Sequence, residues 1–221
     1  MREKAVVILS GGIDSTTLLY HLRSLGYELK AMSVDYGQRH GGRELAFSRR
    51  LCKELQIEQR VIELGGLAAL LGNNSLSDPA VGVPEGHYEP ATMQLTTVPN
   101  RNMILIAIGI AWAVSLKFDA VAFGAHAGQY TPYPDCRPNF AEAMHRAAQV
   151  CDWKPMQVLA PFVTWDKGDI VKRGFELGVP FGFTWSCYNG REKHCGRCGT
   201  CIDRKEAFAK NSLADPTDYE A

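Results

Sequence analysis

The stretch that most constrains this chain is Val6-Val7-Ile8-Leu9-Ser10-Gly11-Gly12-Ile13-Asp14-Ser15-Thr16, close to its start. A run of β-branched and aliphatic residues, too short for an independent helix, breaks into Ser-Gly-Gly. Apolar residues then recur at helical spacing through Leu18, Leu19, Leu22 and Leu25. The pattern predicts a strand, a tight glycine loop and a helix. Glycines adopt backbone angles closed to other residues and let a ligand approach bare amides, while the helix behind them turns its positive end toward the same point. An anion is the natural occupant, and phosphate the natural anion. A plain strand-to-helix turn with Asp14 or Ser15 as N-cap is the simpler alternative, but it needs only one polar residue where this stretch has several. No Gly-Lys-Ser/Thr follows the loop, and it lacks the Gly-x-Gly-x-x-Gly dinucleotide pattern.

Strand, loop and helix then recur. Glu28 to Asp35 reads as a second strand ending in Tyr36-Gly37-Gln38-Arg39-His40, a helix is expected from Gly42 through Leu55, and Gln59 to Leu64 reads as a third strand. This order implies right-handed crossovers and a parallel sheet, with ligands beyond the carboxyl ends of the strands. Residues 65–97 interrupt the pattern with Gly, Pro, Asn and Ser, and are expected to form a mobile flap over the site or a surface insertion without function. An apolar helix from Met103 to Leu116, a strand from Phe118 to Phe123, a helix from Phe140 to Val150, a short strand from Gln157 to Ala160 and a loop and helix carrying Lys167 complete the body.

The expected fold is α/β, a Rossmann-like parallel sheet with helices on both faces and a small C-terminal zinc-binding region. With 221 residues, one sizeable core is expected. The division expected is an ATP pyrophosphatase-type domain over residues 1–183, with its insertion near 65–97, and a zinc-binding region over 184–221 packed on it. Lys plus Arg and Asp plus Glu balance at 24 each, so no chain-wide positive field invites nucleic acid. No leader or membrane span is read, which gives a cytoplasmic expectation.

Of seven cysteines, four fall near the end: Cys187, Cys195, Cys198 and Cys201, spaced C-x7-C-x2-C-x2-C. Gly196 and Gly199 let the chain curl so that the thiolates face one point. Four thiolates suit one tetrahedral zinc, and four protein ligands leave no open position, so the site reads as structural. A redox dithiol or an iron–sulfur cluster competes with this reading. His194 is a lesser ligand candidate, and Cys52 and Cys151 read as small hydrophobes.

Ser10 to Thr16 resembles the pyrophosphate loop of enzymes that split ATP between its α- and β-phosphates. With Asp35-Tyr36-Gly37-Gln38-Arg39-His40, Val98-Pro99-Asn100-Arg101-Asn102, Tyr133-Pro134-Asp135-Cys136-Arg137-Pro138 and the Cys187-Tyr188-Asn189-Gly190 group, all in one chain, it is similar to the 7-cyano-7-deazaguanine synthase family of the queuosine precursor pathway. The resemblance implies a ligase that converts 7-carboxy-7-deazaguanine and ammonia to the nitrile with ATP, through adenylated intermediates. It implies Mg²⁺ with the nucleotide, one zinc per subunit and a homodimer. It also implies a nucleotide site over Leu9, Ser10, Gly11, Gly12, Ile13, Asp14, Ser15, Thr16, Thr17, Leu18 and Leu19 with Arg39, and catalytic roles for Asp14, Arg101, Asp135 and Lys167. Arg39, Arg101 and Lys167 are candidates to balance phosphate charge or are solvated surface charges. Asp135 or Arg137 reads the deazaguanine edge or its carboxylate, or braces its loop.

The chain leaves the family pattern twice, with Gln129 where an aspartate is usual and Asn100 where a small residue is usual. Two other activities therefore stand beside the first. One is a ligase that stops at the amide or uses another amine; the other is a tRNA-modifying pyrophosphate-loop enzyme. A non-enzymatic nucleotide-binding module leaves the Asp135-Cys136-Arg137 loop without a purpose.

Overall fold

The computed structural model describes residues 2–72, 74–126 and 133–220; Gln129 lies outside them. Five strands, β1 (Lys4–Ile8), β2 (Glu28–Asp35), β3 (Gln59–Glu63), β4 (Ala120–Ala122) and β5 (Gln157–Leu159), form one parallel sheet in the order β3-β2-β1-β4-β5. Because side chains alternate across a strand, neighbouring residues serve opposite cores. Val6, Met32 and Val121 meet α4 (Arg101–Ser115) and α5 (Pro138–Ala148). Val7, Ala31 and Ala122 face the other way, toward α1 (Ile13–Ser24), α2 (Gly41–Leu55), α6 (Lys167–Glu176) and α7 (Gly199–Lys210). A sheet covered on both faces needs near-continuous apolar strands, which Val6-Val7-Ile8 and Ala120-Val121-Ala122 supply.

Several expected boundaries move. The fourth strand contracts to Ala120–Ala122, and its former ends, Phe118 and Phe123, pack into the core instead. The helix after it starts at Pro138, whose fixed backbone suits a first turn. The last helix begins at Gly199, so Cys201 belongs to it. By composition Pro90–Ser115 is apolar and long enough to cross a membrane, with a mean hydropathy of 1.2 over an 18-residue stretch of it. Its backbone breaks, however, at Thr97 and at Asn100, separating α3 (Pro90–Thr96) from α4, and α4 packs Ile106, Gly109 and Ala113 on the sheet.

Residues 65–97 carry a short helical turn at Ala68–Leu70 and the helix α3, and their described residues make hydrogen bonds to the body at several points. Asn74 Oδ1 accepts from the amides of Leu76 and Ser77, both at 3.1 Å. The Arg39 guanidinium donates to the carbonyls of Asp78 at 3.0 Å and Val81 at 2.8 Å. Near its end, Glu85 pairs in antiparallel fashion with Cys198, and Gly86 N donates to Arg197 O at 2.9 Å.

Candidate active site

From β1 the chain runs outward to β2 and β3, then returns to place β4 and β5 on the other side of β1. Loops leaving β1 and β4 diverge at such a reversal and leave a crevice between them. A cavity of about 930 Å³ opens there, lined by Ser10, Asp14, Arg101, His126, Lys167 and Tyr188 among others.

The glycine loop forms one wall. Gly11 has φ +90, and Ser15 Oγ accepts from Ser10 N at 3.2 Å, which folds the loop back on the start of α1. The residue preceding α1 is Gly12, with no side-chain cap, so neither Asp14 nor Ser15 plays the plain N-cap role. First-turn amides at this positive helix end remain open to an anion. Gly11 itself backs onto α2, because a Cβ there would sit 2.8 Å from Glu44 O. Bulk at this position therefore strains the fold before it reaches a ligand. Gly11→Val is expected to cost about 1–3 kcal/mol, measured by denaturant unfolding.

Asp14, in the first turn of α1, receives Lys167 Nζ at 2.6 Å and lies 3.7 Å from His126 Nε2. Burial opposes its charge, yet Lys167 and His126 prevail and hold the carboxyl below its ordinary pKa. Burial likewise works against the Lys167 ammonium, and Asp14 and Asp203 overcome it to raise its pKa. Asp203 reaches across from α7 at 3.9 Å. Burial lowers the pKa of His126 despite the opposing pull of Asp14, so its imidazole is neutral at pH 7. Among the described residues Asp14 Oδ1 is buried without a hydrogen-bond partner, which leaves lone pairs for a cation or a donor brought by a ligand.

Other expected site residues fall elsewhere. Leu18 and Leu19 are fully buried in the core between α1 and its neighbours, and Thr16 and Thr17 are buried on the same helix, outside the cavity lining. Leu19→Ala is expected to cost about 2–5 kcal/mol of stability while leaving nucleotide affinity of the folded protein unchanged, read by calorimetric titration. Arg39 points its guanidinium into the 75–81 turn and is absent from the cavity wall. Asp135 is also absent from that wall: its Oδ2 accepts from Asn102 N at 3.1 Å, and Asn102 Nδ2 donates to Asp135 O at 3.0 Å. It caps α4, as a carboxylate at a helix start should. Arg137 is exposed and precedes α5. Asn100 takes the left-handed backbone at φ 56, a conformation asparagine tolerates better than most non-glycine residues, so this departure from the family pattern preserves the turn.

Arg101, the first residue of α4, does line the cavity. Burial disfavours its charge, and the Tyr36 hydroxyl, through a hydrogen bond, and the Asp135 carboxylate favour it. The Cys136 thiol is pushed up to about 11 by burial and by Asp135, so it is a neutral neighbour.

Behind the cavity, Cys187, Cys195, Cys198 and Cys201 are buried with all four Sγ atoms within 4.8 Å of one another. Backbone amides of Cys195 and Cys198 donate to the sulfurs of Cys187 and Cys195, each at 3.3 Å, which favours thiolate charge. His194 Nε2 instead accepts from Ser186 N at 3.0 Å, so it braces the loop. The cluster reaches the cavity through its neighbours. Trp185 N donates to Gly11 O at 2.9 Å, the Tyr188 and Tyr88 hydroxyls meet at 2.9 Å, and the Tyr88 ring lies so close to Gly199 that a Cβ there would sit 2.9 Å from it.

A family model described as queuosine biosynthesis protein QueC matches residues 4–212. The chain belongs to the QueC family. It is 49% identical over 219 residues to the 7-cyano-7-deazaguanine synthase of Hahella chejuensis, covering 99% of this chain and 94% of that protein. Against the 7-cyano-7-deazaguanine synthase of Caldicellulosiruptor bescii it is 48% identical over 217 residues, with 98% and 97% covered. U34-tRNA thiolase NcsA from Methanococcus maripaludis has a similar fold, with a TM-score of 0.51 at 16% identity over 95% of this chain and 66% of that one. NMN synthetase from Francisella tularensis gives 0.51 at 14% identity over 96% and 79%. These two likenesses concern the fold alone, and they agree with the α/β fold expected from the sequence.

Some residues that line the cavity carry no sequence signal. Tyr88 lies within residues 65–97 and Asp203 on α7, and only packing brings them to the cavity. His126, in the small-residue loop after β4, was legible as a loop but not as a neighbour of Asp14.

Proposed function

We propose that this chain converts 7-carboxy-7-deazaguanine and ammonia to 7-cyano-7-deazaguanine with ATP. The observation that carries this reading is the pairing, in one cavity, of an uncapped glycine-loop helix start with a part-buried Asp14–Lys167 pair. A carboxylate is a poor electrophile, so its oxygen must become part of a leaving group. Attack by that oxygen on the α-phosphorus of ATP forms the acyl-adenylate and breaks the bond to pyrophosphate. Loop amides and the Lys167 ammonium are suited to hold the charge that develops on the departing pyrophosphate. Ammonia then displaces AMP to give the amide. Nitrile formation removes the second oxygen: the amide oxygen is adenylated in turn, and loss of AMP with a proton from nitrogen leaves the triple bond. His126, neutral and beside Asp14, is placed to accept a proton in these steps. Mg²⁺ bound with the nucleotide would spread phosphate charge, and the unpartnered Asp14 Oδ1 suits it.

For the cysteine cluster we propose zinc. Tetrahedral zinc with bonds of about 2.3 Å sets sulfurs about 3.8 Å apart, and Cys195 and Cys201 stand at 3.9 Å. A multi-iron core needs a wider cage. One metal held by four protein sulfurs supplies structure, not an open coordination site. The homodimer implied by the resemblance and the cytoplasmic setting expected from the sequence belong to the same proposal, and sedimentation checks the first.

The test is incubation with ATP, ammonium and the ¹⁸O-labelled acid, followed by mass spectrometry. Nitrile, AMP carrying label and pyrophosphate are expected. Label in inorganic phosphate would make the γ-phosphate the electrophile, and a product that stops at the amide would favour the changed-acceptor ligase.

A further inference from the structure

Phosphate chemistry leaves part of the cavity unused. Arg101 is half-buried in its wall, and among the described residues no carboxylate comes within ion-pairing distance of its guanidinium. The nearest acid, Asp135, is engaged in capping α4, and the adjoining Cys136 thiol is neutral. A charged fork that lines a cavity, bonded to Tyr36 and with its nearby acid beyond ion-pairing distance and engaged in capping, has donors left for an acid carried by a ligand, which it can grip through two parallel hydrogen bonds.

Beside it stand three tyrosines from three distant parts of the chain. Tyr133 belongs to the turn that contains Cys136, since Cys136 N donates to Tyr133 O at 3.0 Å, and Asn102 Nδ2 ties that turn to α4 by a 3.4 Å contact to Cys136 Sγ. Tyr88 meets Tyr133 edge to face, with centroids 6.3 Å apart, and Tyr188 joins Tyr88 through their hydroxyls. Every hydroxyl of the three has a protein partner, that of Tyr133 being Thr96 Oγ1 at 2.8 Å. What they offer the cavity is therefore aromatic surface, which suits another flat ring.

We propose that Arg101 receives the carboxylate of the acid substrate and that Tyr88, Tyr133 and Tyr188 form the wall against which its planar heterocycle rests. The inference rests on the ligase reading above and adds the subsite for a flat heteroaromatic carboxylate. It carries an asymmetry. In the first activation the bound group is an anion and engages the guanidinium; in the second it is a neutral amide, which engages Arg101 weakly while the ring still meets the tyrosines.

The experiment compares the wild type with Arg101→Gln, Arg101→Lys and Tyr88→Ala, using the acid and the corresponding amide as separate substrates, with calorimetric titration of ATP and a melting curve for each variant. Arg101→Gln is expected to raise the KM for the acid roughly tenfold to a hundredfold, the worth of charge-assisted hydrogen bonds. Conversion of the amide and affinity for ATP should change less than about threefold, and Arg101→Lys should recover part of the loss. Tyr88→Ala should weaken acid and amide alike. Equal losses for acid and amide in Arg101→Gln, or lost ATP affinity with the acid KM intact, would overturn the assignment, the latter by placing phosphate on Arg101. A wild type that converts neither substrate would defeat the ligase reading itself, whereas failure of the Arg101 asymmetry in an active wild type defeats only this inference.

Discussion

Removing the Lys167 charge is expected to lower turnover by about 10²–10³-fold, since a preorganised cation facing developing phosphate charge is worth about 3–4 kcal/mol at the transition state. Lys167→Met should also destabilise the protein by about 1–3 kcal/mol, because it leaves the part-buried Asp14 without its partner at 2.6 Å. Adding Asp14→Asn to Lys167→Met should recover much of the stability and none of the activity. That contrast, read from unfolding curves and initial rates, separates the structural role of the pair from its chemical one. The pH dependence follows from the two shifts. Asp14 lies below its ordinary 3.8, so its contribution is complete above that value and is lost as pH falls through the lower folded pKa. Lys167 lies above 10.5, so its contribution is complete below that value and is lost as pH rises through the higher folded pKa. Stability from this pair should therefore be flat from about pH 4 to about pH 10. A transition near neutrality that vanishes in Lys167→Met would contradict the assignment.

Stripping the zinc proposed for the cysteine cluster, or replacing Cys198 with serine, is expected to loosen far more than the tail. Structural zinc sites contribute folding free energy directly, and here the cluster anchors two walls of the cavity. Cys198 pairs with Glu85, Arg197 binds Glu85 at 3.0 Å, and Gly199 packs under Tyr88. On the other side Cys187 is flanked by Trp185, which holds Gly11 O, and by Tyr188, which holds Tyr88. Hydrogen exchange should therefore speed up in residues 85–96 and 199–210 together, with loss of several kcal/mol of stability, while β1, β2 and β4 stay protected. Faster exchange confined to residues 187–201 would show that the strap holds without the metal. Iron found by elemental analysis, or undiminished zinc in Cys198→Ser, would overturn the ligand set.

Two kinds of information divide this protein. Its sequence alone determined the features written over a few consecutive residues: the strand-glycine-helix loop at Val6 to Thr16, the βαβ alternation that makes the sheet parallel, and the four cysteines whose x7 and x2 spacings converge on one point. These are legible because backbone geometry and side-chain period couple residues only a few positions apart, and a glycine or an apolar repeat reports on that coupling directly. Only the tertiary structure decided which of the motif residues face the cavity. Leu18, Leu19, Thr16 and Thr17 continue the loop in sequence, but helical rotation turns them into the core. Arg39 and Asp135 sit in strongly marked motifs, yet one binds the carbonyls of the 78–81 turn and the other caps α4, because those unpaired backbone groups lay within reach. Conversely Tyr88, His126 and Asp203 become cavity residues through contacts between segments tens of residues apart. Such contacts depend on how whole helices and loops pack, and no local pattern in the chain encodes the direction in which a side chain will point once they have done so.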